Sequence, residues 1–463
     1  MKVALLSYHY PPSPSVGGLR AEKVARALAR AGHEVKVIVA ERPAKRGQAP
    51  APGEKGLYIH TVRPLPGPRD AVLAVKRRFD CLAGHDPGSE PAQPDPAADE
   101  IGESEWPSAR TVPTWKRWIF SFLWLPDEHQ GFILPAVIAG WRAIRAGADL
   151  LYTTAPPHSV SLAGLVLKWL TGVRWIIELR DPWTDNPAKA EHHRSRASDR
   201  LERWLEQACL RSADGVVAVS DGIRQLLMTR LSPPAATKTI VVRNGIDRLV
   251  PPREVATHRP LRVVHVGTFY HRRDPRPFLE ALAIVCRRRG LSREDIRVDL
   301  VGRCRWFHDV SVEAAAHALG LDGVVHFHDW VPRAEAQRQI EHADLLLLLA
   351  LEQPTQIPNK LYDYLGARVP ILALADADGE TASLLRQVGG HHIVSTTDPG
   401  IIAEALDRAL PLEGRCPGTE GDAALLHEWT TERQMARLVA FLDGERPQRP
   451  TRTPRLTRLV KTP

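Results

Sequence analysis

The chain of 463 residues has room for two or three domains with cores of ordinary size, and its 43% hydrophobic and 25% charged content is that of soluble globular protein. The formal net charge of +8 is concentrated in residues 446–463, where Arg446, Arg449, Arg452, Arg455, Arg458 and Lys461 occur without an acid, so the rest is nearly neutral and lacks the basic face that nucleic acid requires. The five cysteines are scattered and form no CxxC pair, which speaks against a zinc or redox site and fits a reducing cytoplasm.

The opening MKVALLSYHY is a short apolar run without a cleavage site, so it predicts a first strand, Lys2–Ser7, rather than a signal peptide. A loop rich in Pro, Ser and Gly leads into a helix over Arg20–Ala31, with Val24, Leu28 and Ala31 set against Arg20, Lys23, Arg26 and Arg30. Gly32-His33 ends it, and strand Glu34–Ala40 completes a βαβ unit. Residues 82–114 lose periodicity and read as a disordered insertion. Ordered pattern returns at Trp115. Strands Asp149–Thr153 and Arg174–Leu179 then flank a helix over Ser159–Leu170. A long amphipathic helix over Arg196–Arg211 and strands Gly215–Val219 and Thr239–Arg243 close the first half. Pro251, Pro252 and Pro260 mark an interdomain linker over 246–260.

Beyond the linker, strands are expected at Leu261–Val266, Ile296–Val301, Val324–His326, Asp344–Leu349, Val369–Leu374 and His391–Val394, with helices between them. Such alternation predicts parallel sheets covered by helices on both faces. The fold class is α/β, two Rossmann-like domains facing each other across a cleft. Ligands of such sheets bind outside the carboxyl ends of the strands, which makes the cleft the expected site. No run reaches the ~18 apolar residues of a transmembrane helix, so membrane contact would be peripheral.

Five segments are candidates for chemistry. Pro11 to Gly18 joins a strand to a helix, and Gly17 and Gly18 would let backbone N–H groups approach an anion at the helix N-terminus; a flexible turn is the plain alternative. His158, after a strand and before a helix, is either a cleft residue or a surface cap. Glu178-Leu-Arg180-Asp181-Pro-Trp183 ends a strand in charge; Arg180 and Asp181 could pair structurally, or Asp181 could meet an acceptor hydroxyl. Val266-Gly267-Thr268 through Arg272-Arg273-Asp274-Pro275 offers a diphosphate a glycine turn and forked donors. Pro358-Asn-Lys360-Leu-Tyr-Asp363-Tyr364 opens a helix with Lys360 and Asp363 on one face, a cation for phosphate and a carboxylate for ribose hydroxyls, against the alternative of a surface ion pair. Asp376-Ala-Asp378 looks like the DxD of metal-dependent sugar transfer, but its Gly/Asp context reads as turn chemistry.

The chain resembles glycosyltransferase family 4 members of the GT-B fold, bacterial envelope-polysaccharide enzymes among them. The resemblance rests on Tyr10-Pro-Pro to Gly17-Gly18, Gly32-His-Glu-Val35, Glu178-Leu-Arg-Asp-Pro-Trp183, Ser220-Asp-Gly222, Asn244-Gly-Ile-Asp247, Val266-Gly-Thr268 and Pro358-Asn-Lys-Leu-Tyr-Asp-Tyr364, in that order. It implies an acceptor domain over 1–245, a nucleotide-sugar domain over 261–425, a helix over 426–445 returning to the first domain, and a basic disordered tail over 446–463. It further implies retaining sugar transfer from a nucleotide donor, UDP- or GDP-linked, to a glycan or lipid-linked acceptor in envelope or exopolysaccharide synthesis, with no cofactor and no metal. The residues it points to are Gly17, Gly18, Gly267, Thr268, Arg273, Gly302, Lys360 and Asp363 for the nucleotide sugar, and Asp181, His158, Arg273 and Lys360 for catalysis. Two departures stand out. The family's donor motif places a glutamate where this chain has Thr355, and many relatives have a cleft histidine where it has Arg180-Asp181.

A catalytically silent sugar-nucleotide-binding or scaffold protein is the rival reading from another class, supported by Thr355; a sugar-nucleotide epimerase of the same fold is the rival among enzymes. Peripheral contact with anionic membrane is suggested by Trp115 to Trp124, a run of aromatics with two cations that could equally pack as core, and by the tail, whose cations recur at every third residue.

Overall fold

Seven strands of the first half and six of the second form separate parallel sheets in this computed structural model, which describes residues 1–13, 15–41, 54–68, 70, 121–186, 195–230, 238–251, 260–269, 273–410 and 422–444. The first sheet comprises β1 (Lys2–Leu6), β2 (Glu34–Ala40), β3 (Leu57–Val62), β4 (Leu150–Ala155), β5 (Arg174–Leu179), β6 (Gly215–Ala218) and β7 (Thr239–Val241), ordered β3-β2-β1-β4-β5-β6-β7. Its helices are α1 (Val16–Arg30), α2 (Ile133–Arg145), α3 (Ser159–Thr171), α4 (Arg196–Ser212) and α5 (Asp221–Arg230). The order reverses between β1 and β4, so their carboxyl ends open a crevice at that point. Strand β3 has no counterpart in the expectations above. It is an edge strand whose residues are nearly all partly or fully exposed, and such a strand shows no apolar periodicity.

The second sheet contains β8 (Leu261–Val266), β9 (Ile296–Val301), β12 (Val325–His328), β13 (Leu345–Ala350), β14 (Ile371–Ala375) and β15 (His392–Val394), ordered β12-β9-β8-β13-β14-β15. Between β9 and β12 lies a small antiparallel hairpin of β10 (Trp306–Phe307) and β11 (Val310–Ser311). The helices are α6 (Arg276–Arg289), α7 (Val312–Ala318), α8 (Arg333–Glu341), α9 (Lys360–Ala367), α10 (Glu380–Val388), α11 (Pro399–Ala409) and α12 (Ala423–Glu428). β13 runs Leu-Leu-Leu-Leu-Leu-Ala with every residue buried, as a central parallel strand covered on both faces should. Each such leucine contributes about 1.5–3 kcal/mol on burial.

The last described helix, α13 (Thr431–Leu442), crosses back to the first sheet. Its Met435, Leu438 and Leu442 pack with Ala21, Val24, Ala25 and Leu28 of α1. Ile246 pairs with Thr430, and the Val250 N–H reaches the Gly366 carbonyl, so the crossing chain is tied to the second domain before residues 252–259. The insertion over 82–114, Trp115, Trp118, Arg272 and the tail over 446–463 lie outside the described residues.

Candidate functional site between the two domains

On the second domain the site grows from two glycines at strand ends. Gly267 follows β8 at φ 141° and Gly302 follows β9 at φ 115°, conformations that side chains rarely adopt. A Cβ on Gly302 would stand 2.3 Å from the Gly267 carbonyl oxygen, and one on Gly267 would stand 2.5 Å from Lys360 Nζ. The glycines thus let two strand ends and a lysine close on one another. Thr268, next along, is half-buried.

Lys360 is the first residue of α9, and its side chain is half-buried. Burial and the neighbouring Arg273 guanidinium pull its pKa down to about 7, against a smaller opposing pull from Cys304. Nζ lies 3.3 Å from Nε2 of the buried His265. The other ring nitrogen, Nδ1, is 2.9 Å from the Leu347 carbonyl, which can only accept. Nδ1 therefore carries the hydrogen. Burial holds the imidazole well below its usual pKa, so it is neutral and Nε2 accepts from Lys360. Arg273 is 9% exposed, and its Nη2 donates to Gln353 Oε1 at 3.3 Å. Asp274 accepts from the Arg276 backbone N–H at 2.9 Å, closing the start of α6.

Asp363 has other partners than Lys360. It lies 3.6 Å from Arg333, which also bonds Asp247, and Asp247 in turn meets Lys23 of α1 at 2.6 Å. Burial raises the Asp363 carboxyl, the nearby Asp247 adds to the rise, and Arg333 and Lys23 oppose it. Leu19, Arg20, Lys23, Asn244, Arg333 and Asn359 line a small interdomain pocket beside this network, with three cations and two amides.

On the first domain, Gly17 and Gly18 lie in the first turn of α1, where Ser15 Oγ accepts from the Gly18 N–H at 3.3 Å. A Cβ on Gly17 would come within 2.3 Å of the Arg180 guanidinium. The opening expected for an anion is thus filled by a cation. Arg180 bonds the Ala155 and Pro156 carbonyls at the end of β4. Asp181 is engaged by Gln356. The buried pair is instead Arg20 with Glu178, side chains 3% and 0% exposed. Arg20 Nε and Nη2 donate to Glu178 Oε1 at 3.0 and 2.7 Å, and Thr154 Oγ1 donates to Oε2 at 2.6 Å. Burial, the largest single influence, would raise the Glu178 carboxyl; Arg20, together with Thr154 and Arg180, outweighs it and holds the group below the ordinary range. Arg20 also donates to the Val242 and Arg243 carbonyls. It was expected on the polar side of its helix, but the carbonyls and carboxylate of two other segments draw it inward.

His158 is buried at the start of α3 and stacks on Trp183, ring centroids 4.5 Å apart and planes 5° off parallel. It belongs to the wall of the first domain and not to an open surface. Asp181 accepts from Gln356 Nε2 at 2.8 Å across the domain boundary, and Ser220 Oγ donates to the Thr355 carbonyl at 2.7 Å. Thr355 thus sits where the domains touch, with its Cα 3.0 Å from where a Cβ on Gly222 would be. Asp376 accepts from the backbone N–H groups of Glu352 and Gln353, the work of a turn residue.

Sequence reasoning missed Arg20, Lys23, His265, Asp247 and Arg333. The first two look like ordinary surface cations of an amphipathic helix, and His265 is a single polar residue within an apolar strand. Asp247 and Arg333 had no local signal for their pairing, since they are 86 residues apart.

Residues 17–245 match the family model described as glycosyl transferase 4-like domain. No curated protein sequence matches the chain. Among solved structures it is similar to sucrose-phosphate synthase from Thermosynechococcus elongatus, at 16% identity over 96% of this chain and 98% of that one, TM-score 0.59. Anabaena HepE in complex with UDP aligns at 13% identity over 96% and 100%, TM-score 0.58. The lipopolysaccharide outer core galactosyltransferase WaaB aligns at 13% identity over 96% and 99%, TM-score 0.55. At such identities the likeness is one of fold.

Proposed function

From a glycosyltransferase of GT-B fold whose residues 17–245 are a glycosyl transferase 4-like domain, we propose a retaining enzyme that moves a sugar from a UDP- or GDP-linked donor to a glycan or lipid-linked acceptor in envelope or exopolysaccharide synthesis. The observation that carries the reading is the convergence of Gly267, Gly302, Arg273 and Lys360 at the carboxyl ends of β8, β9 and the start of α9. When the bond from the anomeric carbon to the diphosphate breaks, its electron pair stays on the phosphate oxygen. Charge grows there, and donors already in place stabilise it without reorganising. Arg273 supplies a fixed cation, and Lys360 takes up a proton as the diphosphate approaches. These side chains do the neutralising that a metal would otherwise do. Asp363 is assigned to the ribose hydroxyls, which places Arg333 beside the nucleoside. Asp181 stands at the seam where an acceptor hydroxyl would meet the donor. HepE has been solved with UDP and with UDP-glucose, which supports a uridine donor as the first to try.

A panel of nucleotide sugars tested by thermal shift identifies base and sugar together. Failure of every UDP- and GDP-sugar to raise Tm rejects the donor assignment. Configuration of the product at the anomeric carbon, read by NMR, tests retention.

A further inference from the structure

The outer helical layer of the first domain carries a surface that donor chemistry leaves unused. α2, α3 and α4 pack side by side over one face of the first sheet. Along α2 the outward residues are Leu134, Ile138 and Trp141, spaced four and three apart and 55%, 43% and 45% exposed. α2 contains no carboxylate; its charges are Arg142 and Arg145, both exposed, with the Arg145 guanidinium 5.6 Å from the Trp141 ring centre. α3 ends in exposed Trp169 and Leu170, and Trp169 Nε1 donates to Ser212 Oγ at the end of α4, joining the two surfaces.

α4 sorts its charges by face. Arg196, Arg200 and Arg203 are exposed, together with Leu201 and Trp204. Its two glutamates turn inward: Trp183 Nε1 donates to Glu202 Oε1 at 3.0 Å, and Thr184 Oγ1 donates to Glu206 Oε2 at 2.6 Å. A helix that merely faces water mixes acids and bases in i, i+4 pairs on its exposed side. Here the outward side offers arginine and tryptophan, with Asp199 half-buried at its margin. That combination matches a negatively charged bilayer surface, where Trp rings settle at headgroup depth and guanidinium groups meet phosphates. A second copy of the same face, related by a two-fold axis, would set arginines against arginines.

We propose that the outer face of α2, α3 and α4 docks this domain on an anionic phospholipid surface. The inference is independent of donor binding, and it gives the acceptor half of the function proposed above a direction of approach. α3 begins directly after the carboxyl end of β4 and ends at the exposed Trp169 and Leu170, so the docking face spans the length of the helical layer beside the cleft.

The test is flotation of the full chain with phosphatidylcholine vesicles, with and without phosphatidylglycerol. Binding is expected only with phosphatidylglycerol and should weaken with salt. Arg200→Gln with Arg203→Gln should raise the lipid needed for half-binding about fivefold per charge removed. Trp141→Ser with Trp204→Ser should raise it at least about tenfold. Both pairs are exposed, so Tm and nucleotide-sugar binding should hold, and deletion of 446–463 should leave flotation in place. The proposal is overturned if the full chain does not float, or if binding disappears with the tail and ignores the helix substitutions. It is also overturned if those substitutions act only on self-association in sedimentation. Nucleotide-sugar binding measured on the same samples bears on the donor reading alone.

Discussion

The two walls of the cleft are built on opposite plans. On the second domain, two cations are set close together: Lys360 lies beside Arg273 and a neutral histidine, and burial drives its pKa down. On the first domain, the buried cation Arg20 is fully answered by Glu178 and two backbone carbonyls. A paired buried charge holds structure together, and a buried lysine whose pKa is lowered by a neighbouring cation is the kind of group that functional sites use. The difference teaches that a buried ion pair identifies the scaffold wall, while a lysine depressed by burial and a second cation identifies the wall to which donor binding is assigned in the proposed function.

The largest effect should come from breaking the balanced wall. Glu178→Ala leaves Arg20 buried without its carboxylate and should cost about 3–5 kcal/mol by denaturant unfolding. Replacing both partners, as Arg20→Met with Glu178→Leu, should cost much less. If the single and double variants are equally unstable, the pair is not what holds this wall. Because the Glu178 pKa is depressed in the fold, its contribution is present above the ordinary carboxylate pKa and is lost as pH falls through the folded value.

The second-domain wall should respond in rate and not in stability. Lys360→Ala or Arg273→Ala should lower kcat about 10²–10³-fold, with little change in Tm. Full turnover in both variants would place the leaving group elsewhere. Gly302→Ala tests the close approach of the strand ends. The added carbon meets the Gly267 carbonyl, and the φ is unfavourable, so about 1–3 kcal/mol of stability should be lost together with donor affinity.

The smallest effect is a proton count. With Lys360 near 7 in the free protein, donor binding above that pH should take up part of a proton, and affinity should fall as pH rises from about 7 towards 9. Calorimetry in buffers of different ionisation enthalpy measures this, and an enthalpy independent of buffer would show that Lys360 keeps its charge state. In the unliganded protein the same depressed lysine releases a proton on folding, so its contribution to stability grows from pH 7 upward to the unfolded lysine pKa.

What the chain's order of residues determined alone was everything local. Buried parallel strands announce themselves as apolar runs, and β5, β8 and β9 begin and end where their runs do. The last helix expected within 426–445 is there as α13, starting at Thr431 because Thr430 caps it with a side-chain bond from the Arg433 N–H. Lys360 and Gly267 are legible for the same reason: each sits at a strand end or helix start, within a few residues of the signal that places it. The exposed edge strand β3 is the counterexample, because exposure removes the pattern that betrays a strand.

Only the tertiary structure decided which charges meet. Glu178 lies beside Arg180 and Asp181 in the chain, yet its partner is 158 residues away, because the parallel sheet sets the crossing α1 against the carboxyl end of β5. The same packing filled the Gly17 opening with Arg180, turned His158 under Trp183, and joined Asp181 to Gln356 across the domains. Pairing energy depends on distance in space and on burial, and neither is a property of neighbouring letters in a chain.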